Sequence, residues 1–139
     1  MDLLKKHAEK IRFAVVGGAN TALDFAILFT LVALGIDKIV ANYISSGSAL
    51  IFSFFVNKSF TFKNKSGNAR KQFVLFIVVT IIGLWVIQPI IIIAITTALT
   101  GSGLNETIAL FIAKIVATVA SLIWNYLCYS RFVFKKEPV

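Results

Sequence analysis

The sequence predicts an all-α membrane protein with four transmembrane helices, arranged as two hairpins of the same orientation with both termini in the cytoplasm. Hydrophobic residues make up 58% of the 139 residues and charged residues only 14%. With a mean hydropathy of +0.89, the chain lies outside the composition range of soluble domains. Twelve of the fourteen Lys and Arg residues lie in three short patches separated by apolar stretches. Such a basic bias on alternate connections marks the cytoplasmic side of a bacterial inner-membrane protein.

Each apolar stretch between the basic patches has room for two membrane passes. The patches are Lys5, Lys6, Lys10 and Arg12, then Lys58, Lys63, Lys65, Arg70 and Lys71, and finally Arg131, Lys135 and Lys136. A hydrocarbon core of about 30 Å needs about 20 apolar residues per helix, which predicts spans at about 12–34, 39–57, 73–99 and 105–130. These spans make residues 1–139 a single membrane domain and leave no room for a soluble catalytic domain.

The first and third spans have features of their own. The apolar run that ends at Gly35 is too long for a signal peptide and lacks a small-residue cleavage site, so we expect it to remain as an uncleaved span. In the third span Pro89 removes a backbone donor, which predicts a bend at Gln88. This span shows no polar stripe, and we expect it to be peripheral or to pack against a partner.

The two hairpins end alike, which predicts a parallel duplication. Lys58-Ser-Phe-Thr-Phe-Lys63 closes the first and Ser130-Arg-Phe-Val-Phe-Lys135 closes the second. Each end places a cation beside a Phe-x-Phe pair, an arrangement typical of interfacial anchors. Lys58 and Arg131 are equally suited to bind a phosphate or to fix the topology.

Helical spacing gathers the polar residues of three spans into faces that we expect to converge. The faces are Gly17, Asn20, Thr21 and Asp24 on the first helix, Asn42, Ser46, Ser53 and Asn57 on the second, and Lys114, Thr118, Ser121 and Asn125 on the fourth. Small and hydroxylated residues on such faces commonly serve helix packing, whereas the Asn residues fit packing and binding equally well.

Asp24 and Lys114 stand apart because a charge at mid-membrane costs about 2.5 to 3.5 kcal/mol on insertion scales. At 1.5 Å per residue, Asp24 lies about 18 Å from the cytoplasmic edge and Lys114 about 20 Å. We therefore expect the two at one depth, either as a structural ion pair or as a pair that opens to bind an anion.

Several function classes are excluded by what the sequence lacks. It has one Cys and one His, so neither an intramolecular disulfide nor a metal cluster is predicted. Clustered cations that flank spans do not form the basic stripe of a nucleic-acid-binding protein. Without a phosphate loop, a nucleophile with its base, or paired carboxylates, we expect neither an enzyme nor a cofactor.

The order of these motifs resembles the GtrA-like family of small bacterial membrane proteins. The matching segments are RFAVVGGANT from Arg12 with Asp24 after it, SFFVNK from Ser53 leading into Phe-Thr-Phe, and Lys114 followed by Asn125-Tyr126 and SRFVF from Ser130. Each motif is short, but their order, spacing and four-span topology are specific together. The third span matches none of them.

The resemblance implies handling or flipping of polyprenyl-phosphate-linked sugars for cell-surface polysaccharide synthesis. It places functional weight on Asn20, Asp24, Asn57, Lys114, Asn125 and Arg131, to which the repeated hairpin ends add Lys58. The implied partners are the polyprenyl-phosphate lipid, membrane lipids and a membrane glycosyltransferase. Because four helices are few for enclosing a sugar head group, we expect a homo-oligomer, most simply a twofold dimer.

Two alternatives remain. A non-transporting partner that anchors a glycosyltransferase would copurify with that enzyme and would not flip lipid by itself. A small multidrug exporter would use Asp24 to bind protons and cationic drugs. Lys114 argues against the exporter, because a cation in the membrane repels such substrates.

Overall fold

The computed structural model describes residues 2–65 and 67–135, without the side chains of Lys6 and Lys38. Lys136 of the third basic patch lies outside this range. Across the described residues, four helical segments are long and apolar enough to cross a membrane: Asp2–Ala33, Ile39–Thr61, Ala69–Gly101 and Glu106–Val133. The described secondary structure is helical throughout, which confirms the prediction of an all-α membrane protein.

The helices divide between two compact units. The first unit, Met1–Gly67, contains α1 (Asp2–Ala33) and α2 (Lys38–Val56), and the second, Asn68–Val139, contains α3 (Ala69–Ile82), α4 (Gln88–Gly101) and α5 (Glu106–Cys128). Three π-helical turns complete the chain path: the first π-turn Asn57–Thr61, the second Gly83–Ile87 and the third Tyr129–Val133.

Several helix boundaries differ from the predicted spans. Helix α1 begins at Asp2 because residues 2–11 are rich in Leu, Lys, Ala and Glu, which favour helix even where they are hydrophilic. Its 32 residues extend about 48 Å, well beyond a hydrocarbon core of about 30 Å. Helix α3 begins at Ala69, since the Asn68 side chain accepts from the N–H groups of Arg70 and Lys71 and so caps the helix.

The turn between the two helices of each hairpin has the same construction. Gly35 (φ +90°) and Gly103 (φ +94°) adopt the left-handed conformation that glycine allows at a helix C-terminus. The N–H groups of each glycine and of its successor donate back to the last helical turn, at 3.0 Å after α1 and 3.1 Å after α4. Two residues later Asp37 and Asn105 cap α2 and α5. We call these two connections the glycine turns.

A stripe of small residues at a spacing of four lines the buried face of the second helix in each hairpin. The stripe is Ala41, Ser45 and Ala49 on α2, and Ala109, Ala113, Ala117 and Ser121 on α5, all buried. Small side chains allow close backbone approach, which drives helix association in lipid, where the hydrophobic effect between helices is absent.

The hairpin ends that carry the basic residues, here the basic ends, also repeat in structure. Each closes in a π-turn, with the N–H of Phe62 donating to Asn57 O at 2.9 Å and that of Phe134 to Tyr129 O at 2.7 Å. The first ring of each Phe-x-Phe pair is exposed, whereas Phe62 and Phe134 are each 1% exposed. The interpretation of all four rings as interfacial anchors is therefore wrong for these two. They fill the cores of their own units, with Phe62 against Phe13 and Phe134 against Tyr129.

The second π-turn lies directly before the proline of the third span. In a regular helix the ring of Pro89 meets the carbonyl of Trp85. Here the N–H of Gln88 bonds to Gly83 O, and α4 continues from Gln88 with the proline in its first turn. The irregularity thus occupies 83–87 and ends at Gln88, while the bend predicted there stays a prediction.

Candidate functional site

A chain of polar contacts links the third and fourth spans inside the second unit. Lys114 Nζ donates to Gln88 Oε1 at 3.3 Å, and Gln88 Nε2 donates to Ser121 Oγ at 2.8 Å. The Ser121 hydroxyl in turn donates to the Thr118 carbonyl at 3.0 Å. Gln88 and Ser121 are buried. Lys114 is exposed as a whole residue, but its ammonium group is held at one end of this series of hydrogen bonds.

This arrangement gives the third span a polar contact with the fourth that the sequence did not predict, while its peripheral position or its packing against a partner stays a prediction. Gln88 is absent from the predicted site, because a lone amide in an apolar helix creates no stripe. A glutamine needs no stripe to act as a partner: its side chain is long enough to span a closely packed pair, and its amide both donates and accepts. Thr80 adds a second contact, a hydrogen bond between its hydroxyl and that of Tyr129.

Asn125 lies beside the closest approach of these two spans. A Cβ added to Gly83 would be 3.0 Å from Asn125 Oδ1 and 3.2 Å from Trp124 Cδ1. Trp124 is fixed by its indole N–H, which donates to Val79 O at 3.0 Å. Asn125 Oδ1 is buried without a hydrogen-bond partner, so one of the predicted site residues presents an unused acceptor next to the second π-turn.

In the first unit three predicted site residues share that property. Asn20, Asp24 and Asn57 each have a buried Oδ1 without a hydrogen-bond partner. Asn57 is 2% exposed, and its amide nitrogen donates to Ser53 Oγ at 3.1 Å. Buried polar atoms are normally paired, so the unpaired oxygens single out these three predicted residues within the unit.

The predicted polar face of α2 is only half correct. Ser53 and Asn57 point inward, but Asn42 and Ser46 are exposed, and the buried hydroxyl in the first half of the helix belongs to Ser45. Ser45 donates to the Asn42 carbonyl, which satisfies it locally. Helical spacing predicted Ser46 on the inward face, but its neighbour Ser45 lies there, because the small residues at a spacing of four form the packed face of α2.

The two cations of the basic ends differ in their surroundings. Lys58 Nζ donates to Asn64 Oδ1 at 3.1 Å, whereas Arg131 is exposed on the third π-turn. Arg12 donates from Nε (3.2 Å) and Nη2 (3.0 Å) to the Thr61 carbonyl, which ties the start of the first span to the end of the second. Of these cations, Arg131 presents its guanidinium most freely, and Lys58 and Arg12 are held by their own unit.

Asp24 and Lys114 belong to different units, and their pairing at one depth stays a prediction. Within the second unit, Lys114 contacts a neutral group, the amide oxygen of Gln88. Among the described residues of that unit the one acidic side chain is Glu106, at the first position of α5. Eight residues separate it from Lys114, or about 12 Å along the helix.

The described helices define a multi-pass membrane protein in which one hairpin plan occurs twice. Residues 12–134 match the family model described as GtrA/DPMS, transmembrane domain. The chain belongs to this family, which confirms the resemblance read from its motifs. It is also similar to the uncharacterized membrane protein YngA of Bacillus subtilis (strain 168), at 27% identity over 123 residues covering 88% of this chain and 77% of that protein. Membership suggests a role in handling lipid-linked sugars in membranes.

Proposed function

We propose that this protein translocates or otherwise handles a polyprenyl-phosphate-linked sugar across the bacterial cytoplasmic membrane, for cell-surface polysaccharide synthesis or glycosylation. Lys114 is the observation that carries the proposal. A cation within a spanning helix is costly, and in its own unit it contacts the neutral Gln88. A lipid phosphate is an anion of the right charge that can reach this depth while its tail stays in hydrocarbon.

The neighbours of Lys114 suit an anionic, hydrated head group. The Gln88 amide and the Ser121 hydroxyl offer hydrogen bonds in place of water, and Asn125 Oδ1 is an unused acceptor for a sugar hydroxyl. Arg131 at the basic end is placed to bind the phosphate first, because a guanidinium can form two parallel hydrogen bonds to it. The protein then acts by binding and orienting the carrier, without catalysis.

The remaining assignments belong to the same proposal. The termini and the loop between the hairpins face the cytoplasm, in accord with the three basic patches. The protein works as a dimer, since four helices enclose little volume, and a membrane glycosyltransferase supplies or consumes the carrier. The drug-exporter alternative is disfavoured by Lys114, whose charge contacts no acidic group among the described residues of its own unit and repels cationic substrates.

Reconstitution into vesicles with polyprenyl phosphate or its glycosylated form, followed by an assay of head-group accessibility, tests the proposal. The wild type should transfer the head group between leaflets, and Lys114→Gln should abolish transfer. Lys65→Gln removes the same charge from an exposed position between the hairpins and should leave transfer unchanged. Full transfer by Lys114→Gln would refute the role of Lys114. Copurification with a glycosyltransferase without any transfer would favour the anchoring alternative.

A further inference from the structure

Among the described residues of the first unit, three of the four buried side-chain oxygens that lack a hydrogen-bond partner belong to predicted site residues. They are the Oδ1 atoms of Asn20, Asp24 and Asn57, each buried and without a hydrogen-bond partner. Asn57 is almost completely buried, at 2% exposure. Bulk water therefore has no ready access to its unpaired oxygen. Leaving a buried acceptor unpaired destabilises the fold, and an isolated ionised carboxylate costs far more.

The register of the hairpin brings these oxygens to neighbouring levels. Arg12 on α1 contacts the carbonyl of Thr61 at the end of the second span. The two helices run in opposite directions. Asn20 lies eight residues after Arg12, and Ser53 lies eight residues before Thr61. Each is therefore about 12 Å from this contact along its helix, so Asn20 and Ser53 are at the same level.

Asn57 reaches that level through its side chain, since its amide nitrogen donates to Ser53 Oγ. Asp24 follows one helical turn beyond Asn20, or about 6 Å. The hydroxyl of Thr61, also buried without a hydrogen-bond partner, lies near the Arg12 contact, about two turns from the level of Asn20 and Ser53, and is not counted in the group.

The chemistry of the group selects a small cation. All three atoms are hydrogen-bond acceptors, so a phosphate is repelled. A proton on Asp24 would neutralise the carboxylate, but its single O–H could donate to only one of the two amide oxygens and would leave the other unpaired. A sugar hydroxyl could donate to them, but a sugar ring is too large for atoms this enclosed. Oxygen atoms are the ligands that hard cations prefer, and a monovalent cation balances the single negative charge where any net charge is costly.

We propose that Asn20, Asp24 and Asn57 bind a monovalent alkali cation, for which sodium is the probe. Binding does not rest on the proposed function. If that function holds, the ion adds a way to couple carrier movement to a cation gradient.

Equilibrium binding of radioactive sodium to the purified full-length protein in detergent, without any polyprenyl lipid, tests the site. The wild type should bind about one ion per chain, displaced by unlabelled sodium and not by choline. Asp24→Asn should weaken binding by about tenfold or more, equivalent to at least about 1.4 kcal/mol. Asn57→Ala should weaken it less, since it removes a neutral ligand.

Asp37→Asn is the matched control, because it removes the same charge from the cap of α2 and Asn caps a helix as well as Asp does. It should bind sodium like the wild type. Gel filtration checks folding, which Asp24→Asn should retain because it removes a buried charge, and Asp24→Glu should keep measurable binding.

Three results would overturn the site. One is the absence of saturable sodium binding by the wild type, including the case in which Asp24 takes up a proton instead. Another is wild-type affinity in Asp24→Asn. The third is sodium binding that arises only in Lys114→Gln, which would assign Asp24 to an ion pair. Because the assay contains no lipid carrier, failure here leaves the proposed function standing, and failure of lipid transfer leaves the ion site standing.

Discussion

Replacing Gly83 by alanine tests the close contact on which the Gln88–Lys114 arrangement depends. The added Cβ would lie 3.0 Å from Asn125 Oδ1, 3.2 Å from Trp124 Cδ1 and 3.6 Å from Ser121 Cβ. The first two distances are shorter than the roughly 3.5–4.0 Å of an optimal contact. Trp124 cannot retreat without losing its hydrogen bond to Val79 O. Overpacking of this kind costs about 1–3 kcal/mol.

Alanine also has an intrinsic advantage over glycine, which a control must remove. In a helix the substitution gains about 0.8–1.0 kcal/mol, so the net loss for Gly83→Ala is about 0–2 kcal/mol. Gly47 in α2 has nothing within 4 Å of an added Cβ, so Gly47→Ala should show only the gain. The two variants should therefore differ in free energy of unfolding by about 1–3 kcal/mol.

Unfolding by titration with a denaturing detergent, followed by tryptophan fluorescence, measures this difference. Gly83→Ala should unfold earlier than Gly47→Ala and should also bind polyprenyl phosphate more weakly, since displacement of the second π-turn moves Gln88 away from Lys114. Equal unfolding of the two variants would refute the close approach at Gly83. Weaker stability with unchanged lipid binding would separate the packing contact from the proposed site.

Three further predictions concern phosphate capture, topology and charge. Arg131→Gln should weaken binding of polyprenyl phosphate more than binding of an uncharged polyprenol, and equal loss in a binding assay would assign Arg131 to anchoring. A cysteine placed at Asp37 should react with an impermeant reagent from outside the cell, whereas one at Lys65 should not; external labelling at Lys65 would contradict the topology. Exchange of Asp24→Lys with Lys114→Asp should restore neither expression nor lipid transfer beyond the single variants, because the two charges serve separate sites; recovery of expression alone would identify a pair that opens during transit, and recovery of both a structural ion pair.

The spans and the duplicated hairpin ends could be predicted because they leave periodic or compositional signals. Hydropathy located all four helices, and the Phe-x-Phe pairs marked the repeat. The π-turns could not be predicted in this way, because a bond from residue i+5 to residue i changes no pattern in the sequence. The π-turns also direct one ring of each Phe-x-Phe pair inward. The sequence did not predict this orientation for the same reason.

The contribution of Gln88 was missed because polar stripes report only residues that recur. A usable signal exists on the partner helix: Ala109, Ala113 and Ala117 recur at a spacing of four and are buried. Such small residues indicate which face another helix approaches. Ser121 continues the same stripe, so the spacing of small residues in the sequence is enough to match Gln88 to that face.

The repeat also helps to separate charges that serve folding from charges that serve function. The segment from the glycine turn to the Phe-x-Phe pair is four residues longer in the second hairpin than in the first. This difference is about one helical turn. The hairpins can thus be aligned on their basic ends or on their glycine turns. Asp24 lies opposite Thr96 in the first alignment and Ile92 in the second. The second hairpin therefore forms without a carboxylate at either equivalent position.

The same comparison applies to Lys114. Its counterpart in α2 is Asn42 when the hairpins are aligned on their basic ends, and Ser46 when they are aligned on their glycine turns. Both residues are neutral and exposed. A hairpin of this plan therefore forms without the lysine as well. Since a charge within a span costs about 2.5–3.5 kcal/mol, a residue that the duplicated scaffold does not need for folding has another reason to be present. An anionic site in one repeat and a cationic site in the other would supply the two charges that the proposed binding of a small cation and a lipid phosphate requires.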